Sequence, residues 1–199
     1  MDTASLRRVH AATGVVPLGA YLLFHAWEHF PIRHGRDALL ARVSHSTSPV
    51  LEVVFVLLPL LVHAALGISL ARDPEGVRAY VSPAFRKLQV ATGACAAAFL
   101  SFHLITVWLP RLGGQGALLA AYSATLEWTG TAPLLVLHAV GIGAVCTHFG
   151  QGLGLALPRL LPALIAPRQG RVLGVLVGAA LWLVFLNELS AYATYAPLL

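Results

Sequence analysis

Hydrophobic positions along this chain do not alternate, and they do not line one helical face. They form continuous apolar runs at about 11–30, 50–71, 88–109, 132–153 and 171–192, separated by short stretches that hold most of the charges and turn residues. Each run has the length, about 20 residues, that an α-helix needs to cross roughly 30 Å of hydrocarbon. The pattern predicts an all-α fold, an integral membrane bundle of five transmembrane helices, with residues 1–199 as a single transmembrane domain and no soluble one. Breakers mark the connections: Asp73-Pro74-Glu75-Gly76, Ser82-Pro83, Pro158, Pro162 and Pro167-Arg168. The stretch 113–130, GGQGALLAAYSATLEWTG, is too polar and too short to span, and reads as a helix lying in the interface with Tyr122 and Trp128 as anchors. No internal repeat is legible, and no segment is of low complexity.

Composition fixes the solvent. With 58% hydrophobic and 11% charged residues and a mean hydropathy of +0.78, the chain belongs in a bilayer. The first apolar run holds Pro17, His25 and Glu28 and is followed by no small-residue cleavage site, so it is expected to stay in the mature protein. Nine Lys and Arg residues fall on the side of the N-terminus: Arg7, Arg8, Arg72, Arg78, Arg86, Lys87, Arg159, Arg168 and Arg171; four fall opposite. The positive-inside rule then predicts a cytoplasmic N-terminus and an outer C-terminus, in a bacterial inner membrane. Topology accounts for the basic pI of about 9.8 without a nucleic-acid partner.

Four histidines, His25, His63, His103 and His148, sit deep in four different runs. An imidazole in hydrocarbon is costly unless it is bonded, which makes each a functional candidate. Helices 1 and 3 run outward and place His25 and His103 roughly 8–9 Å below the outer surface; helices 2 and 4 run inward and place His148 about 8 Å and His63 about 12 Å from the inner boundary. Two facing pairs result, separated by roughly 10–15 Å. Zinc would find only half of its four ligands in such a pair. Haem, whose iron needs only two axial ligands and whose ring is apolar, suits it better. Helix packing or hydrogen bonding is the alternative for any one of these histidines.

The other histidines read differently. His10, beside Arg7 and Arg8, is expected at the inner edge in water, within reach of a haem propionate; His34 and His45 belong to the solvated outer loop. His138 is the rival outer ligand, with a hydrogen bond to a neighbouring helix as its other reading. His29, one turn beyond His25, is expected at the interface, where with Trp27, Glu28 and Glu52 it could exchange protons with a quinone. Glu188 is expected to snorkel outward. Gly14, Gly67, Gly93, Gly150 and Gly152 could admit flat macrocycles or serve close helix packing. Cys95 and Cys146 lack any cluster-binding spacing and read as packing residues. No dinucleotide fingerprint is present.

The segments RRVHAATGVVPLGAYLLFH (7–25), LPLLVHAALGI (58–68), LQVATGACAAAFLSFH (88–103) and THFGQGL (147–153) resemble the dihaem cytochrome b subunit of succinate:quinone oxidoreductases, the single-anchor type with five helices. The resemblance covers most of the chain, with the last helix least distinctive. It implies His25 and His103 as axial ligands of an outer haem b, and His63 and His148 of an inner one. It also implies an FAD-bearing flavoprotein subunit, an iron–sulfur subunit at the cytoplasmic face, and membrane menaquinone as electron acceptor; Arg7, Arg8, Arg86 and Lys87 could neutralise haem propionates or meet the iron–sulfur subunit, and positive-inside topology alone would also put them there. The chain would then act in the respiratory chain and the tricarboxylic acid cycle. Some fumarate reductases of this type carry a proton-relaying glutamate where this chain has Cys146, which favours the succinate dehydrogenase direction. A fumarate reductase anchor, a dihaem anchor of another respiratory complex, and a haem-free transporter or structural membrane protein remain the alternatives.

Overall fold

The computed structural model describes residues 3–43, 49–72 and 82–194. His45, Arg78 and the Asp73–Gly76 turn lie outside the described residues. Five long helices are apolar enough to cross a membrane: α1 (Ser5–His34), α3 (Pro49–Arg72), α4 (Pro83–Gly113), α6 (Ala132–Leu160) and α7 (Pro167–Thr194). Each contains its predicted run and extends beyond it. Two shorter helices, α2 (Arg36–Val43) and α5 (Gln115–Thr129), lie in the connections after α1 and α4.

The helices are locally irregular where proline demands it. Proline has no N–H and clashes with the carbonyl four residues back, so a helix containing it must widen or bend. Pro17 lies within a π turn, Gly14–Leu18. Pro59 and Pro110 each follow one: Leu58 N–H bonds to Val53 O after Val53–Leu57, and Leu109 N–H bonds to Leu104 O after Leu104–Trp108. α1 and α4 then close alike, in 3-10 turns containing Pro31 and Pro110, each ended by a glycine at positive φ, Gly35 (105°) and Gly114 (89°). The left-handed region favours glycine, and here it turns the chain sharply into α2 and α5.

Packing is uneven. α6 and α7 share the most extensive interface. Gly150, Gly154, Gly170, Gly174 and Gly178 bring the two backbones together; a Cβ on Gly150 would lie 2.5 Å from Gly174 O and 3.0 Å from Gly178 Cα. α3 is the least buried of the five and α7 the most. At the end of the bundle far from the N-terminus, Ile32, Leu39, Val43, Val107, Leu118, Tyr122, Leu126, Ala191 and Tyr192 form an apolar cap. This cap corrects two expectations. Tyr122 points into it and is no interfacial anchor, while Trp128 stays half-exposed; Glu188, only 4% exposed, is enclosed beneath the covering helices and does not snorkel. Cys146 is buried as a packing residue should be, whereas Cys95 is exposed.

Candidate functional site

A single cavity of about 510 Å³ runs through the bundle and is lined by His10, His25, His29, His63, His103, His138 and His148. Arg7 and Arg159 stand at its N-terminal end, and Glu52, Arg111 and Tyr192 at its far end.

The nearer pair is His63 and His148. Their ring centroids are 5.9 Å apart with planes at 83°. His63 Nδ1 bonds to His10 O (2.9 Å) and His148 Nδ1 to Gln89 O (3.0 Å). A carbonyl only accepts, so Nδ1 carries the proton in both rings and Nε2 keeps a free lone pair. Glycine lets each ring lie against a helix backbone. A Cβ on Gly14 would come 2.5 Å from His63 Cε1, and one on Gly93 2.8 Å from His148 Cε1. Gly67 gives way in the same manner to His10, and Gly150 belongs instead to the α6–α7 seam.

The far pair is His25 and His103, with centroids 6.0 Å apart and planes at 81°. It lies roughly 15 Å further along α1 and α4, counting about ten residues from Gly14 and Gly93 at 1.5 Å each. Its Nδ1 atoms are buried and make no hydrogen bond among the described residues. His25 Nδ1 is 3.8 Å from Glu28 Oε2.

Around the far pair is a polar chamber whose partners come from distant segments. Tyr192 Oη is 2.6 Å from His29 Nδ1, and the His29 ring stands 4.2 Å from that of His25 and 5.9 Å from that of Tyr122. His29 and Glu28 are buried, so neither is an interfacial residue as the sequence suggested. Burial, then the Glu28 carboxylate, pushes the Tyr122 phenol above its ordinary pKa and keeps it protonated. Glu52 is held by Arg111 Nη1 (2.6 Å) and by the Trp108 indole N–H (2.8 Å). Trp27 faces outward and stacks beneath Arg42, 3.6 Å from its ring centre.

His138 is buried and bonds through Nδ1 to Leu134 O of its own helix (2.8 Å), rather than to a neighbouring helix. Its ring faces Phe99 and Phe102. His34 is exposed, as expected. His10 is not solvated: it is half-buried and stacks on His63 at 3.9 Å and 12°.

Among curated proteins, the chain is similar to the succinate dehydrogenase cytochrome b558 subunit of Bacillus subtilis (strain 168), 27% identical over 154 residues, which cover 74% of this chain and 75% of that protein. No protein-family model and no solved structure matches it.

Sequence reasoning missed Tyr192, Arg111 and Trp108 as parts of the site and placed His10 in water at its edge, whereas it stacks on His63. One signal was available for His10: HAATG at 10–14 and HAALG at 63–67 are near copies, and each histidine lies against the other's glycine.

Proposed function

We propose that this chain is the membrane anchor of a succinate dehydrogenase and binds two haems b. His63 and His148 are the axial ligands of the inner one, and His25 and His103 of the outer one. The observation that carries this reading is the spacing of the two imidazole pairs. A metal–imidazole bond is about 2.0–2.1 Å and the ring centre lies about 1.15 Å beyond the nitrogen, so two imidazoles on opposite sides of one ion would have centroids about 6.3–6.5 Å apart. Both pairs come within about half an ångström of that distance, at 5.9 and 6.0 Å, in one apolar cavity. Gly14 and Gly93, against which the inner ligands lie, add to the fit.

Held there by the paired histidines, haem would supply one-electron transfer. The protein's residues do the rest. Backbone carbonyls of His10 and Gln89 hold the inner imidazoles in the tautomer that presents Nε2, the outer-shell arrangement that orients a metal ligand. The basic N-terminal end, cytoplasmic in this reading, faces the iron–sulfur subunit, and a flavoprotein subunit beyond it oxidises succinate. At the far end, menaquinone takes up electrons and protons beside His25. Glu28 and His29 are the groups placed to hand over the protons, with Tyr192 holding His29 in position. Glu52 serves to fix Arg111 and Trp108 at the mouth of that chamber.

The test is quantitative. The complex purified from membranes should show b-type absorption bands on reduction, contain about two haems per anchor chain, and co-purify with a flavoprotein and an iron–sulfur subunit. One haem per chain, or none, refutes the four-ligand assignment.

A further inference from the structure

The same helix crossing occurs twice around the inner histidine pair. Where α1 meets α3, His10 Nδ1–H donates to His63 O (3.0 Å) while His63 Nδ1–H donates to His10 O (2.9 Å), and each ring lies on the other helix's glycine, Gly67 and Gly14. Where α4 meets α6, His148 Nδ1–H donates to Gln89 O (3.0 Å), Gln89 Nε2–H donates to His148 O (3.4 Å), and the His148 ring lies on Gly93. The sequences correspond: RRVHAATG at 7–14 with RKLQVATG at 86–93. So do the hydroxyl bonds of Thr13, to Val9 and His10 carbonyls, and of Thr92, to those of Leu88 and Gln89. From Gly14 to His25 there is one residue more than from Gly93 to His103, and the π turn Gly14–Leu18 absorbs it. The α1–α3 and α4–α6 crossings at the inner pair are thus two versions of one unit.

Within this correspondence His10 and Gln89 are equivalents. Each side chain bonds the backbone of the ligand-bearing residue on the adjacent helix, and each backbone carbonyl holds that ligand's imidazole. They differ in one respect: His10 also stacks face to face on His63, whereas Gln89 has no ring to place against His148.

We propose that His10 and Gln89 are paired positioning residues for the inner haem, and that His10 alone sets the ring plane of an axial ligand, His63. This rests on the two-haem reading above. His63 is held by the stack as well as by its carbonyl bond and Gly14, whereas His148 is held by its carbonyl bond and Gly93; the two planes stand at 83°. The angle between axial ring planes governs the g-anisotropy of a low-spin ferric haem, so the proposal has a spectroscopic signature that general stability does not move.

The experiment uses the full chain, assembled in its native membrane, with His10→Gln, His10→Ala and Gln89→His variants. Haem content, ferric EPR and redox titration are read for each haem. His10→Gln, which gives the first unit the residue found in the second, should keep two haems per chain and change the inner haem's g-values alone. His10→Ala, which removes the stack on His63 and the bond to His63 O but keeps the backbone carbonyl that holds His63 Nδ1, should change the inner haem's g-values and weaken its retention. Gln89→His should retain both haems and shift the inner signal. An unchanged inner signal in His10→Gln overturns the proposal even if His10→Ala fails to assemble, as does an equal change at both haems. A wild-type protein with fewer than two haems would instead sink the underlying reading.

Discussion

The two histidine pairs share a spacing and differ in almost everything around it. At the inner pair every Nδ1 is tied to a backbone carbonyl, and the adjoining helix α3 is little buried. At the outer pair the Nδ1 atoms make no such bond, and the site lies under an apolar cap beside Glu28, His29, Tyr122 and Tyr192. A fully bonded imidazole has one tautomer and one orientation, which suits a centre that only passes electrons. A chamber of buried protonatable groups suits a centre where electron transfer must be matched by protons. The contrast indicates a division of labour between the two layers.

The most direct way to break this contrast is to remove one ligand from each layer. His25→Ala should abolish the outer haem and spare the inner, and His148→Ala the reverse, each leaving about one haem per chain by haemochrome assay. Loss of both haems from either assembled variant would mean that the layers are not separable. If His138→Ala rather than His25→Ala removed the outer haem, the pairing itself would be wrong.

Next in size is Glu52→Gln. It takes the counter-charge from Arg111 at a site where both side chains are less than a tenth exposed, and breaking such a pair costs about 3–5 kcal/mol. Thermal unfolding in detergent should fall accordingly, with the outer haem released first. Smaller is Gly14→Ala, whose methyl group would meet the His63 ring; overpacking of this kind costs about 1–3 kcal/mol. It should loosen the inner haem while the outer spectrum stays as it was. The mildest is Tyr192→Phe, which removes the partner of His29 Nδ1 at about 1–3 kcal/mol. Quinone reduction should slow with both haems still bound, and equal slowing of electron entry at the inner haem would argue against a proton role at the far end.

The five spans and the grouping of four histidines were legible because depth in a membrane is a property of sequence: residues times rise gives height. The contacts that define the site depend on rotation and crossing, which packing decides. His10 was read as an edge residue because its depth is shallow, yet the glycines at 14 and 67 let α1 and α3 approach closely enough to stack it on His63. The Glu52–Arg111 and His29–Tyr192 pairs join residues far apart in the chain, and nothing local announces either. Glu188 and Tyr122 were read as surface groups because the cap formed by α2, α5 and α7 is a tertiary feature.

The π turn at Gly14–Leu18 carries one consequence more. A π turn adds a residue without adding a turn, so everything beyond it is rotated by about 100° relative to an uninterrupted α-helix. In α1 the turn lies between the level of His63 and that of His25, and works as a phase adjuster between two floors of the same building. Deleting a single residue there would give α1 the ten-residue spacing that plain helix gives Gly93 and His103, so the π turn should become an α turn with His25 still facing His103. The number of residues between the two histidine levels is therefore free to vary without turning either histidine from its partner.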